Sequence, residues 1–527
     1  MDSRPVGGYG EGSAVDSPMT PRVPVRAVHS EIPGCEGGRG GSRGGQGLLA
    51  LGVGFALAGQ AVGCVSAGER VMHRDLERAG ETLAALPVLS EDAPLGSDWS
   101  EDAARPEFDG APEGYVAFAL EHHHGLRASW ERWRAATHKV ARERRLPMPE
   151  LSYGVFVSRV ETRVGPQRHK LSVRQRFPWP GALLAGAEAA TVEARVKKRD
   201  FEARALELRA GVLRAYWELW LIREVMHIEA EQFEVWGAIA ESALARVAVG
   251  DTTLAEVQAI DLERARLDDQ IGGHQDHERE ARARLLAAVA APPDGAAPTR
   301  TALPTIETPQ RTEVELRGLL ADHPLLLRWR DQADAGALRA KQARQARGPG
   351  FSVGVDWIET GPARELGTGA TVDGSGRDAV VVGVGVQIPL WQPNYAEDVK
   401  AAEADTAVAR AEWAAARDRA AADLSVVWVR LEDSGRRAEL HEQTLIPQAQ
   451  SLLGSTLGGF ASGRGELQTV LQAQKALIEI RLDGVRLHAA HAVAWAELER
   501  VLGVSVEGAP RAESGSNTDE ADDHVRD

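Results

Sequence analysis

The chain is 527 residues long and carries a formal charge of −16, from 61 basic and 77 acidic side chains. That length implies two or more domains, and the acidic balance excludes a general nucleic-acid binder, which would carry a basic footprint. Two cysteines exclude a disulfide framework beyond one bridge.

Residues 1–64 read as a disordered leader with a signal or lipoprotein segment. The start is Gly-, Pro-, Ser- and Arg-rich, a composition that buries no core. Gly47 to Val65 then reads GLLALGVGFALAGQAVGCV, preceded by Arg39 and Arg43. A basic flank, an apolar core and small residues make a signal peptide. A retained transmembrane helix is the alternative, weakened by borderline length, by Gly and Ala content and by Gln60. Ala61-Val62-Gly63-Cys64 is similar to a bacterial lipobox, with Ala61 where Leu is usual. Cys64 is therefore a candidate lipid anchor, or else an incidental cysteine of the signal.

Residues 65–112 read as a linker rich in Pro, Asp and Gly, and Pro112 to Arg145 as one helix. A strand follows, with Leu151, Tyr153, Val155 and Val157 on one face. In a second strand, 170–177, Leu171, Val173, Gln175 and Phe177 alternate with Ser172, Arg174 and Arg176. Pro178-Trp179-Pro180-Gly181 opens a helix to about Ala248. Val249-Gly250-Asp251-Thr252-Thr253 interrupts it, and a second helix begins at Leu254.

After a Pro-rich linker, 291–312, the same plan recurs. Helix 313–345 carries His323-Pro324-Leu325 against His124-Gly125-Leu126. Phe351, Val353, Val355 and Trp357 match the first strand. Val382, Val384, Val386 and Ile388 alternate with Gly383, Gly385 and Gln387, and Pro389-Leu390-Trp391 follows. A long helix reaches Phe460, Ser462-Gly463-Arg464-Gly465-Glu466 interrupts it, and the last helix starts at Leu467. The domains are thus 113–290 and 313–503, each one repeat, with an acidic, disordered tail at 504–527.

The long helices carry heptads. Val212, Leu219, Met226, Phe233, Ala240 and Val247 recur every seven residues, with Ala215, Ile222, Trp236 and Ala243 at partner positions three residues on, and Leu424, Leu431, Ala438, Leu445 and Leu452 recur likewise. Such seams pack as coiled coils. The helix from Gly181 would span about 100 Å, and Pro447 predicts a local bend. Each repeat supplies two strands of about ten residues, the length of a tilted membrane strand. Trp179 and Trp391 stand where a membrane barrel places its aromatic girdle. Four strands cannot close a barrel and lipid tolerates no open edge. Either the sheet is soluble and packs on the helices, or several chains share one barrel.

Residues 113–503 resemble the TolC-type outer-membrane efflux proteins. The carriers are the twofold repeat, Arg176-Phe177-Pro178-Trp179-Pro180-Gly181, Gln387-Ile388-Pro389-Leu390-Trp391, Ile446-Pro447-Gln448-Ala449 and the turns at Gly250 and Gly463. The resemblance implies a mainly α fold with a membrane β part: a homotrimer sharing a twelve-stranded β-barrel, continued by a long coiled-coil α-barrel in the periplasm. It implies the bacterial outer membrane as location, and the exit channel of a tripartite efflux or type I secretion system as function. An inner-membrane pump and a periplasmic adaptor protein would feed it with small molecules or metal ions. It further implies an adaptor-docking tip built from Val249, Gly250, Asp251, Leu254, Ser462, Gly463, Arg464 and Leu467. Trp179 and Trp391 would meet outer-membrane lipid. Some members carry acidic residues just past the second turn; here Thr469 and Gln472 stand there, with Glu256 opposite Thr469.

His122-His123-His124 raises metal binding, but one tripeptide on a helix points its side chains to different faces and reads as solvated surface. No phosphate loop, nucleophile elbow or paired-Cys motif is present, so the chain is not read as an enzyme and no cofactor is expected. The competing reading is a non-pore envelope coiled-coil structural protein.

Overall fold

The computed structural model describes residues 66–83, 106–248, 250, 253–364 and 372–506. The expectations for the leader with Cys64, for Val249 and Asp251, and for the tail beyond Val506 lie outside the described residues.

The segment 65–112 is more than a linker, because it contains a helix, α1 (Ala67–Thr82). Ser66 caps it by accepting from the Glu69 amide at 3.1 Å. Met72 and Leu76 are buried on one face, and Trp130 Nε1 donates to the Leu76 carbonyl at 3.2 Å. Val71, Met72 and Leu76 stand among charged residues in an amphipathic pattern that the reading of 65–112 as a linker passed over. At the other end, Val506 donates its amide to Glu499 at 3.1 Å, so the tail expected from 504 starts packed on the core.

The stretch 112–145 is two helices, α2 (Pro112–His122) and α3 (His124–Glu143). His123 makes the break. Its Nδ1 accepts the amides of Gly125 (3.0 Å) and Leu126 (3.3 Å), acting as an N-cap. In the second repeat α6 (Glu313–Leu319) and one 3₁₀ turn precede α7 (Pro324–Gln345), which His323 caps through Leu325 N at 3.2 Å. His323 therefore matches His123, one residue away from the register expected from sequence.

Four strands form one antiparallel sheet in chain order: β1 (Glu150–Thr162), β2 (Gly165–Phe177), β3 (Gly350–Thr360) and β4 (Ala379–Gln387). Between β2 and β3 runs the first hairpin, α4 (Pro180–Ala248) and α5 (Leu254–Ala288). After β4 comes the second: α8 (Gln392–Leu440), a π-helical turn at His441–Leu445, α9 (Ile446–Ala461) and α10 (Leu467–Leu502). At 69 residues, α4 is about 100 Å long. It packs along α5, α3, α7 and α10, while α8 packs on α7 and α10.

The predicted seam holds at Val212 and Leu219. Beyond them the buried line is Val225, Glu229, Gln232, Trp236, Ile239 and Ala243, and Met226, Phe233, Ala240 and Val247 lie half-buried beside it. In the second hairpin Leu424, Leu431 and Ala438 are buried, but Leu452 is 52 % exposed. The π turn explains the change. It fits one extra residue where Pro447 cannot donate to the helical ladder, and the seam resumes one position later at Ile446, Leu453 and Phe460. Trp179 precedes Gly250 by 71 positions, whereas Trp391 precedes Gly463 by 72.

The inter-repeat linker is a fixed strap. Arg223 and Tyr115 donate to the carbonyls of Ala297 (2.7 Å) and Pro298 (2.8 Å). Further on, His488 bonds the Pro304 carbonyl at 2.9 Å and His491 that of Glu307 at 3.0 Å.

Candidate functional site

The cross-strand register sorts the sheet into two faces. Leu151 pairs with Val173, Val173 with Val355 and Val355 with Val382. Tyr153, Leu171, Trp357 and Val380 form the next row of the same face. This face is apolar and open: Val157 is 96 % and Val384 75 % exposed. The other face carries Ser152, Ser172, Ser352, Gly354, Gly383 and Gly385 with a few charges. Among the described residues no helix packs on either face, so the reading of a soluble sheet covered by helices does not hold. Among the described residues the outer edges of β1 and β4 pair with nothing.

The two strand-to-helix tryptophans differ. Trp179 is half-buried. Its Nε1 donates to Gln345 Oε1 at 2.9 Å and its ring lies 6.5 Å from that of Phe351. It also covers Gly348 so closely that a Cβ there would lie 2.5 Å from the ring. Trp391 is 69 % exposed beside Leu390 and Ile388, as an interfacial residue requires.

At the far end of the helices, Gly250 (φ +78°) and Gly463 (φ +71°) adopt the left-handed conformation that reverses the chain. Thr253 and Glu256 cap α5 reciprocally, so Glu256 is engaged in the turn. Leu254 is 58 % exposed, and Ser462 and Arg464 are exposed. Leu467 is 2 % exposed, which removes it from any docking surface of this chain. It packs with Phe460, Val470, Val257 and Ile260 in a core under the turns. Arg246 reaches from the first hairpin to donate to the Phe460 carbonyl at 2.6 Å, with its guanidinium 4.2 Å over the Phe460 ring. This clamp joins the two tips. Nothing in the local pattern around Arg246 marked it, because its partner lies 214 residues away.

The histidine run does not converge. His122 stacks on Phe118, His123 is spent on its cap, and burial holds His123 below the usual imidazole range. No group of metal-binding side chains occurs among the described residues. No described helix is long and apolar enough to cross a membrane.

Comparison with known proteins agrees. Residues 316–504 match the family described as outer membrane efflux protein. The chain is 24 % identical over 374 residues to the cobalt-zinc-cadmium resistance protein CzcC of Cupriavidus metallidurans, spanning 69 % of this chain and 83 % of that one. Its fold is that of the outer membrane protein VceC of Vibrio cholerae, with TM-score 0.61, 21 % identity and coverage of 75 % and 96 %. CusC superposes with TM-score 0.63 at 14 % identity, covering 75 % of this chain and 93 % of CusC.

Proposed function

Because this chain belongs to the outer membrane efflux protein family, we propose that three copies close their sheets into one twelve-stranded barrel through which cargo leaves the cell. The protein is the outer-membrane exit channel of an efflux system, with its helices in the periplasm. The sheet carries this reading. Its apolar face is open and both of its edges are unpaired, and lipid accepts the first but not the second. Edge-to-edge closure satisfies both conditions. A non-pore scaffold needs no such sheet.

The partners are then two further copies, outer-membrane lipid, a periplasmic adaptor and an inner-membrane pump. The adaptor meets the turns around Gly250 and Gly463, where Asp251, Leu254, Ser462 and Arg464 supply the surface. Six turns per trimer let individually weak contacts add by multivalency. Cys64 anchors the leader through a lipid, and Trp391 sits at the lipid headgroups. The likeness to a protein named for cobalt, zinc and cadmium resistance makes metal ions or small molecules the cargo.

Mass measurement in detergent should give a trimer, and the trimer should pass current across a planar bilayer. A water-soluble monomer that needs no detergent overturns the channel. Labelling with a fatty-acid analogue should mark the wild type and not Cys64→Ser; equal labelling removes the anchor alone.

A further inference from the structure

Resting on the exit-channel reading, we propose that Arg174 forms a positively charged collar on the pore side of the barrel and makes the channel favour anionic over cationic cargo. The apolar face must meet lipid, so the opposite face lines the pore. In the paired region that face holds three cations, Lys170, Arg174 and Arg176, and two carboxylates, Glu150 and Asp356.

The carboxylates are taken. Lys170 Nζ lies 2.8 Å from Asp356, and Arg176 Nη2 lies 2.6 Å from Glu150. Arg174 stands directly across from Glu150 in the register, yet Glu150 pairs with Arg176. Among the described residues the Arg174 side chain makes no ion pair or hydrogen bond, feels Asp356 only through its field, and is exposed.

Its row continues into Gly354 and then Gly383. The Arg174 side chain lies over Gly354, with Nε 3.5 Å from where a Cβ would stand, and a Cβ on Gly383 would meet nothing. The row beside it ends in Ser352 and Gly385. The pore wall is therefore lowest where the unpaired guanidinium sits, and the two carboxylates near it, Glu150 and Asp356, are each already paired with another cation. Three copies put three such charges at one height. An arginine stays charged throughout the physiological pH range, and like charges lining an aqueous passage raise the local concentration of counter-ions. A bare divalent cation is repelled twice as strongly as a monovalent one. The collar thus favours organic anions, or a metal ion carried inside an anionic ligand, over a free metal cation.

The test is the reversal potential of the purified trimer in a planar bilayer under a KCl gradient. Wild type should prefer chloride. Arg174→Gln should lower the chloride-to-potassium permeability ratio about twofold at ~0.1 M salt, with a larger change at lower salt. Arg174→Glu should invert the preference, and Arg174→Lys should restore it. Trimer mass in detergent checks assembly of each variant. A wild-type preference for potassium, or the same reversal potential in wild type, R174Q and R174E, overturns the collar while the channel stands. No current from the wild-type trimer overturns the exit-channel reading and the collar with it.

Discussion

The two repeats trace the same path with the same elements, yet each is anchored at a different end. At the strand-to-helix junction the first repeat is locked: Trp179 is held by Gln345, Phe351 and Gly348. Its counterpart Trp391 is exposed. At the helical tip the roles reverse. Leu254 of the first repeat is exposed, while the matching Leu467 is sealed under the turns. A duplicated sequence thus fixes the route of the chain but not which copy bears the packing. That is decided by what lies across the interface.

The junction offers the largest effect. Trp179→Ala removes a half-buried ring and leaves Gln345 without its donor, so we expect a loss of about 2–4 kcal/mol. It would be read as a lower melting temperature of the detergent-solubilised protein. Trp391→Ala should cost under ~1 kcal/mol in the same assay. Equal shifts would erase the difference between the two ends.

The tip should show the mirror image. Leu467→Ala opens a cavity beneath the turns and should cost about 2–4 kcal/mol, whereas Leu254→Ala should stay within ~0.5 kcal/mol. Should Leu254→Ala prove the more damaging, Leu254 is buried by a neighbouring copy and the tip is closed between subunits.

The histidine caps sharpen the comparison through pH. His323 is 7 % exposed; it accepts the Leu325 amide and bonds the Arg500 carbonyl at 3.1 Å. Burial, the largest cause, pushes its pKa down. The unfolded chain, with an ordinary imidazole, therefore takes up the proton first as pH falls. Stability is complete above about pH 6.5 and declines below it. His323→Asn keeps a capping acceptor and removes the titration, so it should flatten part of the acid-side loss in denaturation midpoints. His491, also held low by burial, supplies a remaining slope of the same sign. The equivalent change at half-buried His123 should flatten it less.

The smallest effect on stability belongs to the polar residues of the two turns. Asp251→Arg combined with Arg464→Glu should leave melting within ~0.5 kcal/mol but abolish crosslinking to the adaptor and export. Normal crosslinking by this double variant would reduce the tip to a turn.

The strands, the junctions and the hairpin turns were legible because each has a local signature: period-2 alternation, Pro beside Trp, Gly between helical runs. The polar and apolar faces followed from that alternation alone. Helix α1 carried local signals, a Ser66 cap and an amphipathic run through Met72 and Leu76, but the Pro- and Asp-rich residues after it made the whole of 65–112 read as a linker. The break at His123 was hidden since histidine is a rare cap, and the burial of Leu467 depends on Val257 and Ile260 of the other hairpin, about 200 residues away along the chain. Leu452 was misplaced because seven-residue counting assumes an uninterrupted α-helix.

That interruption bears on inheritance. Two copies of one ancestral unit invite exchange by unequal recombination, but the second arm is one residue longer than the first between its Trp and its turn Gly. The π turn at His441–Leu445 absorbs that residue; were the turn to straighten into α-helix with the residue retained, every later side chain of the arm would rotate by about 100°. Leu452 would then swing toward the position that Leu453 now fills, and Phe460 would leave its place above Leu467 and under Arg246. The extra residue and its π turn must therefore travel together, and a crossover that kept the residue but lost the turn would produce a mistimed tip on an otherwise intact molecule.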